Sequence, residues 1–251
     1  MSETGNFSIQ GRIVRLPVEI RDARSWAATF VVDSRAAQAL IEQTGLEIAP
    51  MRPGKAIASL AAVRYEDGDL DRYNEVAVAF VVRRHDAEPA TPGRVAMEVA
   101  RNRTGVYIHH LPVDQSFTLE AGRTIWGYPK FMAEIGIDEE PRAATISLRH
   151  DGADVLRLTV RRGVKVWFGV PNLPTYTFMD GVLRRTAWKT FPEGARGRPG
   201  GATLELGTHP IADELRSLGL PRRALMTTTV SRVRARFGPA EVVHPASVAV
   251  R

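Results

Sequence analysis

Apolar residues along this chain recur mostly at every second position or in short unbroken runs, with Gly, Pro, Asp and Asn between them. The stretches "EVAVAFVV" (75–82) and "VLRLTVR" (155–161) show the two forms. A period of two marks a half-buried strand, and a short continuous run marks a strand covered on both faces. The pattern predicts strands over residues 11–19, 26–32, 56–65, 75–82, 105–113, 128–137, 144–149, 155–161, 203–206 and 225–236. The pair flanking "HDGAD" (150–154) reads as a hairpin, because Asp-Gly supplies tight-turn backbone conformations. Helical signals are few. Residues 35–44 have an apolar face (Ala36, Ala39, Leu40) and stop before Gly45, 116–126 run from Ser116 as N-cap to a stop at Gly127, and 211–218 form a short third helix. "FPEGARGRPGG" (191–201) reads as a flexible polar loop. No repeat of 20 to 50 residues stands out. Many strands with few helices predict a mainly β fold, an antiparallel barrel or sandwich with peripheral helices. Its 251 residues read as one domain, 1–251.

Composition narrows the function classes. Hydrophobic residues make up 44% and charged residues 25%, enough for a sizeable core. The longest strongly apolar stretch, 76–82, is far too short to span a bilayer, so no membrane partner is expected. "MSETGNFSIQ" has no basic segment followed by an apolar one, so a cytoplasmic location is expected. Absence of cysteine removes disulfides, thiolate metal sites and cysteine nucleophiles. The net charge of +6 invites a nucleic-acid reading, yet basic residues are spread over most segments. Only four of the 34 basic residues are lysine, a compositional bias rather than a binding stripe, and no nucleic-acid partner is expected. The positive field still favours anionic substrates.

Most motif candidates fail on their own chemistry. "DGDLD" (67–71) imitates a calcium loop but places Arg72 where glycine is needed and Val78 where a bidentate glutamate is needed. His109 and His110 are adjacent, so an extended strand points them to opposite sides, and no metal is expected there. There is neither a Gly-x-Ser-x-Gly elbow nor a Gly-Lys-Ser/Thr phosphate loop. Glu75 opens an apolar strand and reads either as an exposed strand-end carboxylate or as an acid/base group. Lys130 is the only charge between Ile125 and Ala133. It reads either as a lysine reaching from a strand edge to water or as an amine nucleophile. A free lysine is neutral only about once in 2,500 at pH 7, and an apolar setting favours the neutral amine by desolvation.

These residues carry a family resemblance. "GRTIWGYPKFMA" (122–133) resembles the active-site stretch of the acetoacetate decarboxylase family, in which Tyr-Pro-Lys follows a short helix. "YIHHLPVD" (107–114) sits at that family's spacing before the lysine. "RYNEV" (72–76) is similar to the segment bearing an active-site glutamate, here Glu75. Arg24, before "SWAATFVVD", is similar to a family arginine, and "GTHPIADEL" (207–215) to a late histidine-containing turn. Two positions depart from the pattern: Phe131 stands where the decarboxylases have a second lysine, and Leu60, between Ser59 and Ala61, where they have a second glutamate.

The resemblance implies an acetoacetate decarboxylase-like antiparallel β-barrel with a few short helices, a homo-oligomer, and a small oxo acid as substrate. That enzyme is a known example of an activated Schiff-base lysine, so the mechanism comes with the resemblance and not from spacing. It implies Lys130 as the nucleophile, Glu75 as the proton shuttle, Arg24 as the holder of the substrate carboxylate, and Tyr128 and Leu111 as pocket walls. No metal, nucleotide or flavin cofactor is required. Decarboxylation of a β-keto acid, aldol condensation or dehydration of a pyruvate-like oxo acid, and a catalytically silent barrel that binds small metabolites all remain open.

Overall fold

The computed structural model describes residues 5–84, 104–166 and 173–243. Its central feature is a sheet that closes on itself. From the strand Val18–Asp33 the wall continues through Arg232–Val242, Val182–Glu193, Thr175–Met179, Thr104–Val113, Tyr73–Arg84 and Lys55–Gly68, and the last pairs back onto Val18–Asp33. These seven strands form an antiparallel barrel, except that Thr175–Met179 and Thr104–Val113 run parallel. Val18–Asp33 and Tyr73–Arg84 run long because no Gly or Pro interrupts them, and closure removes the barrel's open edges.

Alternation sends the two faces of the wall into two separate apolar clusters. One collects Trp26, Ala28, Phe30, Leu60, Val76, Val78 and Phe80 from the wall, together with Ile146, Leu148 and Leu158 from a second sheet. That second sheet has four antiparallel strands, in the order Glu134–Glu139, Ala143–His150, Ala153–Arg161 and Ala202–Leu206. The other cluster collects Val18, Ile20, Ala23, Tyr65, Tyr73, Ala79, Leu111 and Val113 from the opposite face. Three short helices are described: α1 (Ser34–Ile41), α2 (Ser116–Trp126) and α3 (Pro210–Ser217). α1 and α3 pack on the first cluster, and α2 packs on the second. None of the described helices is long and apolar enough to cross a membrane.

The helix ends follow their expected chemistry. Gly45 and Gly127, at φ of 70° and 63°, stop α1 (through a 3₁₀ turn, Glu42–Thr44) and α2 in the left-handed conformation that glycine adopts freely. The N-cap of α2 is Gln115, whose side chain accepts the Thr118 N–H, so the helix begins one residue earlier than a Ser116 cap requires. The "HDGAD" hairpin forms, with Asp151 and Gly152 both at positive φ.

Four strand boundaries differ from the sequence pattern. Residues 11–19 divide into Arg12–Arg15, which forms a small hairpin with the preceding Asn6–Ile9, and the start of the barrel strand. Residues 128–137 change sheet at Ala133: Lys130–Met132 pairs in parallel with the barrel strand Thr104–Val113, and Glu134–Glu139 enters the four-stranded sheet. Residues 225–236 break at Ser231 into Met226–Val230 and Arg232–Val242. The expected loop 191–201 is mostly strand: the end of the barrel strand Val182–Glu193, then Arg196–Pro199, which pairs with Met226–Val230 beside the barrel.

Candidate active site

The segment that leads to Lys130 is set by α2. Its buried residues Phe117, Thr118, Ala121, Gly122, Ile125 and Trp126 form one stripe at i, i+4 spacing. Gly127 then reverses the chain, with the Tyr128 N–H donating to the Gly122 carbonyl at 3.1 Å. Two residues on, Lys130 lies back over the helix. Thr118 and Gly122 sit beneath it: the Thr118 hydroxyl is 2.9 Å from the amine, and a Cβ on Gly122 would lie 2.6 Å from Lys130 Cδ. Here glycine is required by close approach and not by backbone conformation.

Lys130 is 4% exposed, and its ammonium meets the Glu75 carboxylate at 2.9 Å. Register places the two together: Lys130 pairs with Leu111, and Glu75 pairs with Val113 on the same strand. The far end of Glu75 accepts the Tyr65 hydroxyl at 3.1 Å. Tyr65 lies directly opposite Tyr73 in the hairpin, their rings stack 4.2 Å apart, and the Lys130 amine is 5.0 Å from the Tyr73 ring centre. A buried ion pair survives only with its remaining hydrogen-bond capacity filled, and Thr118, Tyr65 and the Tyr73 face supply that. Burial first, and the Glu75 charge second, push the Tyr65 and Tyr73 hydroxyls well above the usual tyrosine value, so both stay protonated. Tyr128 is pushed up by burial and shares a hydrogen bond of 3.0 Å with Thr175. Asp114 secures the start of the Glu75 strand through the N–H and side-chain amide of Asn74, at 2.7 Å each.

Of the residues expected at the site, Lys130, Glu75, Tyr128 and Leu111 share the second apolar face or its immediate neighbourhood. Arg24 is not brought there. Alternation places it on the Trp26 side of its strand, while its neighbour Ala23 faces the Lys130 side. The Arg24 guanidinium, 45% exposed, donates to Glu139 of the four-stranded sheet at 2.8 Å. It ties two sheets together at the surface.

Both departures from the family pattern now have a place. Phe131 points away from Lys130 and packs its ring 4.6 Å from that of His150. Leu60 is fully buried on the far face. In the described pairing of Lys55–Gly68 with Tyr73–Arg84, the positions that share the Glu75 face are Tyr65, Val63, Ala61, Ser59, Tyr73, Ala77 and Ala79, and none of these is a second carboxylate. Sequence reading missed Tyr65, Tyr73, Thr118 and Gly122. The signals were the two Arg-Tyr steps placed symmetrically about "DGDLD", and a small and a polar residue on an otherwise apolar helix stripe.

Solved structures with the same fold are distant in sequence. Acetoacetate decarboxylase from Legionella pneumophila is 17% identical, with a TM-score of 0.71 over 91% of this chain and 87% of that one. The enduracididine biosynthesis enzyme MppR, complexed with pyruvate, is 13% identical, with a TM-score of 0.67 over 91% of both chains. An acetoacetate decarboxylase-like enzyme from Sphingomonas wittichii RW1 is 16% identical, with a TM-score of 0.65 over 93% of this chain and 95% of that one. Among curated protein sequences nothing matches. The family model of acetoacetate decarboxylase matches residues 8–246, nearly the whole length including the lysine stretch, and the chain belongs to that family.

Proposed function

We propose that this chain is a Schiff-base lyase that decarboxylates a small β-keto acid of the acetoacetate type through an imine on Lys130. One observation carries the reading: the buried Lys130 amine lies 2.9 Å from the Glu75 carboxylate. An amine attacks a carbonyl through its lone pair, so the ammonium must first lose a proton, and Glu75 is within reach to take it. Attack on the ketone carbon and loss of water give a protonated imine. The bond between the α-carbon and the carboxylate carbon then breaks, its electron pair moves toward the imine, and CO2 leaves an enamine. Glu75 returns its proton to the enamine carbon, and hydrolysis frees the ketone and the amine. Thr118 holds the amine in line, Tyr65 holds the carboxylate, and Tyr128 and Leu111 wall the apolar side.

A second reading has specific support. MppR has been solved with the condensation product of pyruvate and imidazole 4-carboxaldehyde. In this chain the described strand pair that carries Glu75 puts no second carboxylate on its face, and Arg24 is turned away. On that reading the same imine forms from pyruvate, Glu75 removes a methyl proton, and the enamine attacks an aldehyde.

Borohydride reduction tests both. With acetoacetate, or with pyruvate, the mass of the reduced substrate should attach to Lys130 alone and activity should stop. Lys130→Arg keeps the charge but offers a guanidinium that stays protonated, so it should be unlabelled and inactive. Release of CO2 from acetoacetate supports decarboxylation, whereas a new chromophore from pyruvate plus an aldehyde transfers the assignment to condensation. Labelling spread equally over Lys55, Lys165 and Lys189 would end the Schiff-base reading and leave a binding barrel. Glu75→Gln should lower kcat by about 10² to 10⁴-fold with little change in KM, since proton transfer belongs to the transition state.

A further inference from the structure

The strand that pairs with the Lys130 segment carries a second constellation on its other face. His109 and His110 do not point apart. Val78 pairs with His110 and Ala79 with Ile108, so His109 is an extra residue, a β-bulge. Both rings turn toward α3, and both Nε2 atoms converge on one oxygen of Glu214, His109 at 3.0 Å and His110 at 2.7 Å. The three ligand atoms lie within 4.8 Å of one another, the one such His/Asp/Glu group among the described residues.

We infer that His109, His110 and Glu214 form a binding site for a divalent transition metal, with zinc as the best-matched ion. Two imidazoles and one carboxylate are the donor set of many three-residue zinc sites, and water completes the tetrahedron. Metal–ligand bonds of about 2.0–2.2 Å place tetrahedral ligand atoms about 3.3 Å apart. The two spacings to Glu214, 3.0 and 2.7 Å, reach that value by opening about 0.3 and 0.6 Å, and the three atoms already lie within 4.8 Å of one another. The ion takes the place of the two Nε2 protons, and each neutral imidazole then carries its proton on Nδ1. Side-chain exposures of 12%, 20% and 35% leave an entry path and room for the water.

The nearby pair His150 and His209 offers no such site. His209 Nδ1 accepts the Ile211 N–H, so its Nε2 carries the proton and donates to His150 Nδ1 at 3.0 Å. Both facing lone pairs are already engaged. A metal at His109, His110 and Glu214 would fasten α3 to the strand Thr104–Val113, whose other face supplies Leu111 beside Lys130. This inference does not depend on imine chemistry.

Titration of EDTA-treated protein with Zn²⁺ tests it by calorimetry. One equivalent should bind, and His110→Asn and Glu214→Gln should each weaken binding at least about tenfold, in the range that metal-site changes typically produce. His150→Asn should leave the affinity within about twofold. On unmodified protein, Zn²⁺ should shield His109 and His110 from diethyl pyrocarbonate, read by peptide mass. No binding, binding unaffected by His110→Asn and Glu214→Gln, or equal modification with and without Zn²⁺ would overturn the assignment.

Discussion

Gly122 shows how one absent methyl group shapes the site. On an exposed helix, Gly→Ala stabilises by about 1 kcal/mol. Here the new Cβ would lie 2.6 Å from Lys130 Cδ and 2.7 Å from Cε, both on a flexible side chain that can swing aside. Gly122→Ala should therefore fold, with a Tm close to that of the parent, while the amine is displaced from Glu75. A misplacement of about 1 Å costs on the order of 10²-fold in rate, so borohydride labelling and turnover should both fall at least tenfold. Undiminished turnover would mean that the lysine does not need its place over the helix. Arg24 gives the opposite expectation. An exposed ion pair contributes about 0–1 kcal/mol, so Arg24→Ala should change unfolding free energy by no more than that and activity by less than about twofold. A tenfold loss of activity would return Arg24 to the chemistry.

Elements differ in how much of their placement the sequence reveals. Apolar patterning located the barrel strands Lys55–Gly68, Tyr73–Arg84 and Thr104–Val113, and the Gly127 stop located the end of α2, because these signals are local. The hairpin Thr175–Met179 with Val182–Glu193 is not among the predicted elements: Asp180-Gly181, both at positive φ, is a turn signal, but weak alternation hides the strands on either side. The sheet change at Ala133 and the bulge at His109 were not legible, since partners distant in sequence decide both. The seating of α2 is equally non-local. Thr177, fully buried, donates its hydroxyl to the Trp126 carbonyl at the end of α2 at 2.8 Å. Thr177→Val leaves that carbonyl without its partner, a loss of about 1–3 kcal/mol. Urea unfolding should show that loss, and turnover should fall with it because Tyr128 and Lys130 follow directly. Lost stability with unchanged turnover would separate the seat of α2 from the position of the amine.

At the scale of the whole molecule, the two apolar clusters share one wall. Along Tyr73–Arg84, Val76, Val78 and Phe80 face the four-stranded sheet, while Tyr73, Glu75 and Ala79 face the lysine side. Neither layer can lose its backing without exposing the other, so the site and the distant sheet should unfold together. Leu158, 2% exposed in the four-stranded sheet, provides the test because it touches neither Lys130 nor its strand pairing. Leu158→Ala should lower unfolding free energy by about 2–5 kcal/mol, through lost burial and the cavity left behind. In urea, its circular dichroism and its Lys130 borohydride labelling should fall at one common midpoint, shifted down from that of the parent with the slope unchanged. Labelling that persists after the dichroism signal has gone, or a separate early transition in the variant alone, would show that the layers are energetically independent despite their common strands.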